Sequence, residues 1–438
     1  MGTSADTRAR TGAIESKLAG RRHRLFAVAA RIERVHRYHG SPPTAARATV
    51  GISHVTSTFP MPTPASGGIA CDELQTRVVN RIGFIELNRP RALNALSLRM
   101  IRAMRTALDS WRDDASVLAV VVHSPHARAF CSGGDLRELH EAAKRGDTAA
   151  RDSFFAEEYL LDHAIFIYPK PYVALMNGIV MGGGMGISLG GHRTGGLRVV
   201  TESTRMAMPE TRIGFFPDVG ASWFLARTPG AIGPYLAVTG MTIDAADALY
   251  AGLADVRIDE AALPGLLDRL RHEPFVDGAS VVDSVRRVAE SAPCGAGSRA
   301  TSSLAASRAW IDRHFGQRDV AHILASLESE RGDGAREWAA ETIAVMRERS
   351  PLSMAVSLEV VARAEGSMAE CLRRDLDLTR STFERGDAVE GVRARIIDKD
   401  NRPRWRIARI EDVTRSDVER MFVSPWSAGD HPLRRLSG

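Results

Sequence analysis

The chain has no run of about 18 apolar residues, which argues against a membrane-spanning helix. Cysteine is scarce: Cys71, Cys131, Cys294 and Cys371 lie far apart, without CxxC or metal-ligand spacing. That argues against a disulfide framework and a zinc site, and it suits a reducing compartment. The histidines show no metal pattern either, and there is no internal sequence repeat. What remains is ordinary globular composition, 44% hydrophobic and 25% charged over 438 residues, enough for one large domain with appendages or two domains. The formal charge of +5 invites a nucleic-acid reading. Most of the excess, however, sits in residues 1–70, which hold ten Lys/Arg against three Asp/Glu.

That first stretch is expected to be a disordered basic extension. Pro42, Pro43, Pro60, Pro62 and Pro64 break any long element, and only residues 13–38 have the pattern of a basic amphipathic helix. Three readings compete for it: a tail or an early translation start with Met61 as alternative, an Arg-rich transit peptide, and a nucleic-acid arm. The first and second place the protein in the cytoplasm and the mitochondrial matrix respectively.

Order is expected from Glu73. Residues 77–87 alternate as a strand with Ile82 and Phe84 on one face. A helix is expected over 97–112, a buried strand over 117–122, helix over 136–167, and strands at 172–176, 197–200 and 205–207. Strands alternating with helices argue for an α/β fold. From Ala245 onward the pattern is helical, in segments 245–252, 260–272, 279–290, 303–315, 319–330, 335–349 and 351–383. The expected division is 1–70 extension, 71–258 α/β core and 259–438 helical region.

Chemistry concentrates in three places. Phe130-Cys-Ser-Gly-Gly-Asp-Leu136 and Met181-Gly-Gly-Gly-Met-Gly186 are glycine-rich turns, each able to aim backbone N–H groups at one point. Met208-Pro-Glu-Thr-Arg-Ile-Gly-Phe-Phe-Pro-Asp-Val-Gly220 carries Glu210 and Asp218 eight positions apart. Two convergent N–H groups and a carboxylate can attack a thioester carbonyl. Taken singly, each glycine turn has a bland reading as tight packing, and each acid as a cap or a solvated face. Cys131 has no His at a persuasive spacing and is expected to be a small buried side chain.

Together with Asn88-Arg-Pro-Arg-Ala-Leu-Asn-Ala-Leu96 and Asn177-Gly-Ile-Val-Met-Gly-Gly-Gly184, these pieces resemble the enoyl-CoA hydratase/isomerase, or crotonase, superfamily over about residues 75–410. More narrowly, Glu157-Glu-Tyr-Leu160, Phe216-Pro-Asp-Val-Gly220, Glu390-Gly-Val-Arg-Ala394 and Ile397-Asp-Lys-Asp400 resemble its 3-hydroxyisobutyryl-CoA hydrolase branch. The resemblance implies a crotonase-like spiral of ββα units with a helical C-terminal region. It implies thioester hydrolysis of a short-chain 3-hydroxyacyl-CoA, as in valine breakdown. Gly134 and Gly183 would donate to the thioester oxygen. Glu210 would be general base or nucleophile, and Asp218 and Glu158 would hold the substrate hydroxyl and the water. Arg91, Ala92 and Ala95 would contact adenine and pantetheine, Gly133, Asp135 and Leu136 would also bind substrate, and Lys399 and Arg402 could reach phosphate. Hydratases of the superfamily use a second glutamate where this chain has Gly186, so hydration is disfavoured, while an isomerase or a non-catalytic CoA- or RNA-binding role stays open. No metal or redox cofactor is implied, CoA being part of the substrate. Neither nucleic acid nor membrane is expected as a partner, and the oligomeric state is left undetermined.

Overall fold

The computed structural model describes residues 71–291 and 301–437; the basic extension and its short helix, Met61 and Cys294 lie outside them. Nine strands form two sheets, with β1 at Leu74–Val79, β2 at Ile82–Leu87, β3 at Ala119–His123, β4 at Ala129–Cys131, β5 at Tyr172–Met176, β6 at Ile179–Met181, β7 at Leu197–Val200, β8 at Arg205–Ala207 and β9 at Val256–Arg257. The larger sheet runs β1-β2-β3-β5-β7-β9 and the smaller β4-β6-β8. After the β1–β2 hairpin, which lies wholly in the larger sheet, the pairs β3/β4, β5/β6 and β7/β8 each give one strand to each sheet before a helix, the ββα spiral that the family resemblance implied.

The single strand expected at 77–87 is a hairpin. Asn80 and Arg81 both adopt positive φ, 50° and 63°, the geometry of a two-residue turn between twisted strands, and Val79 pairs with Ile82. The strands β3, β5 and β7 are buried throughout because both faces of the parallel sheet are covered. On one face Ile82, Phe84, Val121, Val173 and Val199 pack with Leu266, Leu270, Val281 and Val285. The other face, with Ile85, Leu87, Val120, Val122 and Met176, joins the main core.

The first helix, α1 (Leu98–Arg112), starts where Ser97 caps it by accepting from Met100 N–H, and it buries Met100, Ile101, Met104, Leu108 and Trp111. Each such side chain contributes roughly 1.5–3 kcal/mol on burial. The helix expected over 136–167 is two helices, α2 (Leu136–Lys144) and α3 (Thr148–Phe166). Gly146 at φ 68° ends the first, and Asp147 caps the second through Ala150 N–H. Likewise the stretch 351–383 divides into Pro351–Ala362 and Met368–Glu384, the latter opened by a Ser367–Glu370 capping box. Ala221–Leu225 and Ile232–Thr239 are further helices; the second is apolar nearly all round and so lacks a readable period. Gly183–Leu189 forms the short helix α4.

Candidate active site

Both glycine turns end at the same place. β4 leads into Ser132-Gly133-Gly134, and β6 leads into Gly182 and α4. Gly133 has φ 105° and Gly182 φ 51°, backbone that a side chain would strain. A Cβ on Gly183 would sit 3.4 Å from Gly134 N and only 2.4 Å from Glu158 Oε1. Leu96 N donates to Gly133 O and Asp135 N to Leu96 O, so the 88–96 loop splints the first turn. Buried Asn94 fixes that loop by donating to Ala129 O and Phe130 O. Among the described turn and loop hydrogen bonds, Gly134 N and Gly183 N have no acceptor, whereas Asp135 N and Gly182 N do. Both glycines line a cavity of about 550 Å³.

The acids surround this cavity from three elements. Glu210 opens a short 3-10 turn directly after Pro209, and a Cβ on Gly182 would lie 2.9 Å from its Oε1. Glu158 projects from α3. Asp218 accepts from the Tyr159 hydroxyl at 2.7 Å. The residue after it, Val219, holds φ 53°, an uncommon conformation for a β-branched side chain. Asp375, on helix Met368–Glu384, locks this kink by accepting from Gly220 N at 2.8 Å. Phe154, Phe155, Phe215 and Phe383 form apolar walls, with Phe155 and Phe215 stacked at 5.7 Å.

Burial in that setting disfavours the ionised form of every acid present. Burial pushes Asp218 up to about 7, against the pull of its Tyr159 hydrogen bond. Glu158 and Glu210 are raised well above the usual carboxylate range by burial first and by the neighbouring Asp218 second.

Two members of the acid cluster escaped the sequence analysis. Asp162 lies one turn beyond Glu158 on α3, 3% exposed, with no hydrogen-bond partner on either oxygen among the described residues. Burial, then Glu158, raises it strongly. Asp375 is raised too, mainly by burial. An i,i+4 pair of acids on an otherwise apolar helical stretch was the available signal for Asp162. Cys131 is fully buried, and burial pushes its thiol to about 12, which removes it as a nucleophile.

Of the expected contacts, Gly133, Gly134, Leu136, Glu158, Gly183, Glu210 and Asp218 line the cavity. Arg91, Ala92, Ala95 and Lys399 are not among its lining residues. Arg91 is exposed on a 3-10 turn, and Lys399 is exposed at φ 58°, with Asn401 reaching the cavity from the same segment. Arg402 is likewise exposed, and its carbonyl accepts from Arg393. The Asp135 carboxylate is already engaged: it caps α2 and pairs with Arg89 at 2.7 Å.

With two glycine turns meeting at one cavity, a buried glutamate and a two-sheet α/β fold in place, this chain belongs to the enoyl-CoA hydratase/isomerase family, whose model matches residues 82–422. Within that family it is 38% identical over 346 residues to a protein of Rattus norvegicus named 3-hydroxyisobutyryl-CoA hydrolase, mitochondrial, covering 78% of this chain and 86% of the relative. It is 35% identical over 349 residues to 3-hydroxyisobutyryl-CoA hydrolase 1 of Arabidopsis thaliana, covering 78% and 89%. Among solved structures, a carnitinyl-CoA dehydratase from Mycobacterium thermoresistibile matches with TM-score 0.72 and 36% identity over 81% of this chain and 97% of that one. An enoyl-CoA hydratase from Rhodobacter sphaeroides matches with TM-score 0.71 and 36% identity, over 81% and 98%. Hydrolase and hydratase names thus both occur among relatives of similar identity, and the site chemistry has to separate them.

Proposed function

We propose that this protein hydrolyses the thioester of 3-hydroxyisobutyryl-CoA, or a close short-chain 3-hydroxyacyl-CoA, to the free acid and CoA, a step of valine breakdown. The observation that carries the choice is at Gly186, where the superfamily's hydratases place a second glutamate. A Cβ there would meet Asp162 Oδ1 and Val219 Cβ, each at 2.8 Å, so no acidic side chain can be built at that position without rearrangement. Asp218 lines the same cavity, and in this reading it takes the 3-hydroxyl.

In the proposed reaction the thioester oxygen lies between Gly134 N–H and Gly183 N–H, and the developing oxyanion is stabilised there. Losing one such donor costs roughly 3–4 kcal/mol of transition-state stabilisation. Ionised Glu210 takes a proton from the attacking water, or attacks the carbonyl itself to give an anhydride that water opens. The C–S bond breaks, and a proton from the acid cluster goes to the departing thiolate. Asp218 and Glu158 hold the 3-hydroxyl and the water. The net change consumes one water and needs no redox partner.

The test is thiol release from a panel of 3-hydroxyisobutyryl-CoA, 3-hydroxypropionyl-CoA and isobutyryl-CoA, beside hydration of crotonyl-CoA. Fast release from the hydroxylated thioesters, with slow release from isobutyryl-CoA, supports the reading. Hydration without thiol release would replace it with the activity that the structural relatives' names carry.

A further inference from the structure

Three arginines line the same cavity from three separate segments, and the reaction as written uses none of them. Arg212 sits in the 3-10 turn that begins with Glu210; its side chain is exposed at the cavity mouth, and no carboxylate lies within ion-pair distance of it among the described residues. Arg349, just before helix Pro351–Ala362, is 8% exposed. Its Nε donates to Thr239 O at 2.9 Å, while its buried Nη1 has no hydrogen-bond partner. Arg395, in the wide π turn Arg393–Ile397, donates from Nη1 to Asn401 Oδ1 at 2.9 Å and leaves its buried Nε without an acceptor. Among the described residues, the acid within ion-pair distance of these arginines is Glu348, with an exposed side chain, 3.5 Å from Arg349 Nη1 and 3.7 Å from Arg395 Nη2.

Burying the Arg349 and Arg395 guanidiniums with donors left unpaired is costly, and the exposed Arg212 beside them adds repulsion. Burial and then Arg212 push Arg349 down to about 10, and the same two causes lower Arg395. The Thr239 bond accounts for one donor of Arg349 and for nothing in Arg212 or Arg395. A planar fork of N–H donors matches a phosphate or a carboxylate in geometry as well as charge.

We propose that Arg212, Arg349 and Arg395 form an anion subsite of the substrate cavity, taking either a phosphate of CoA or a carboxylate at the far end of the acyl group. The proposal rests on the cavity being an acyl-CoA site. It adds to that reading a determinant of which thioester is held, on residues to which the sequence analysis gave no role.

Binding calorimetry on the full chain tests it without turnover. The probes are CoA, 3′-dephospho-CoA and pantetheine, and the thioethers S-propyl-CoA and S-(3-carboxypropyl)-CoA. Arg395→Gln and Arg212→Gln are the primary variants, being less buried than Arg349; Arg349→Lys keeps the charge and tests the fork. Each glutamine variant is expected to weaken the anion-bearing probe about tenfold or more, as for loss of a charge-assisted hydrogen bond. The shift should be under about twofold for the matched probe lacking that anion, the remainder of the contact set being shared. A loss confined to the CoA–pantetheine comparison identifies phosphate, and one confined to the thioether pair identifies an acyl carboxylate. Equal shifts on all probes, or none, overturn the subsite while leaving the hydrolase reading standing. No binding of any probe by the parent protein overturns both.

Discussion

The carboxyl of Asp162 lies against the Cα of Gly186, close enough that a Cβ at 186 would be 2.8 Å from Asp162 Oδ1. One contact thereby excludes a side chain from α4 and closes the back of the acid cluster with a carboxyl from α3. The first expectation follows directly. Gly186→Ala should destabilise the fold by about 1–3 kcal/mol through overpacking. Asp162→Ala in the same chain should restore part of that loss, since Val219 Cβ still crowds the site from the other side. Chemical denaturation of the two single variants and the double variant measures the coupling. Strict additivity would show that the two residues do not touch.

The acid cluster also sets a sign for stability against pH. Asp218 is raised from 3.8 to about 7 in the fold. Between those values the folded chain binds more protons than the unfolded one, so this group's contribution to stability falls as pH rises from about 4 to about 7. Asp162 is raised in the same direction. Asp162→Asn removes one ionisable member while keeping its shape. Stability at pH 8 should therefore rise by roughly 1–3 kcal/mol, the scale for relieving an unsatisfied buried polar group, and the gain should shrink at pH 5. Urea midpoints at both pH values decide it; a larger gain at pH 5 would mean the shift has the opposite sign.

How much of this was legible without coordinates depends on the physical scale of each feature. The glycine turns, Glu210 and Asp218 form contiguous motifs because backbone geometry and catalytic reach demand particular residues at fixed spacing. Buried strands such as Tyr172–Met176 showed themselves as short apolar runs. The hairpin at Asn80–Arg81 was missed because Arg at positive φ is not a usual turn signal, the pair being set by strand register instead. Asp162 shows only its i,i+4 spacing from Glu158, and nothing local gives a role to Asp375, Arg349 or Arg395. The meaning of Asp375 lies in packing between segments more than a hundred residues apart, as when it meets Gly220.

Asp218 raises Glu210 as its second cause after burial. Glu210 has to be ionised to act as base or nucleophile, so kcat/KM should rise with pH to a midpoint above the usual carboxylate range. Asp218→Asn removes the neighbouring charge and should move that midpoint to lower pH, even as it slows the 3-hydroxylated substrate. For isobutyryl-CoA, which lacks the hydroxyl, the rate loss should be smaller. An unmoved midpoint would place Asp218 too far from Glu210 to matter, and equal losses on both substrates would assign it to the water or the thioester.

A chain starting at Met61 is expected to keep its melting temperature to within about 2 °C, a shift that roughly 1.5 kcal/mol produces in a chain of this length. The order it retains begins at β1, where Leu74 is buried and Asn88 N closes onto Glu73 O. Thermal unfolding followed by circular dichroism, with thiol release at saturating substrate, checks both stability and turnover. A drop of many degrees would mean that the preceding residues pack on the domain.

Glu210→Gln separates binding from chemistry. The substitution keeps the size and the contact with Gly182 but can neither accept a proton from water nor form an anhydride. The expected loss in kcat is about 10²–10⁴-fold, the range for removing a positioned acid–base group. CoA affinity should change little, because the contacts proposed for CoA lie on other residues. Turnover near the parent level would make Glu210 structural and overturn the mechanism. The unmodified protein then distinguishes the two roles of Glu210 in a single turnover in ¹⁸O-water. A general base sends the label into the released acid from the first turnover. If Glu210 attacks and water opens the anhydride at the glutamyl carbon, the first acid released is unlabelled and the label stays on Glu210, where mass analysis of the peptide finds it.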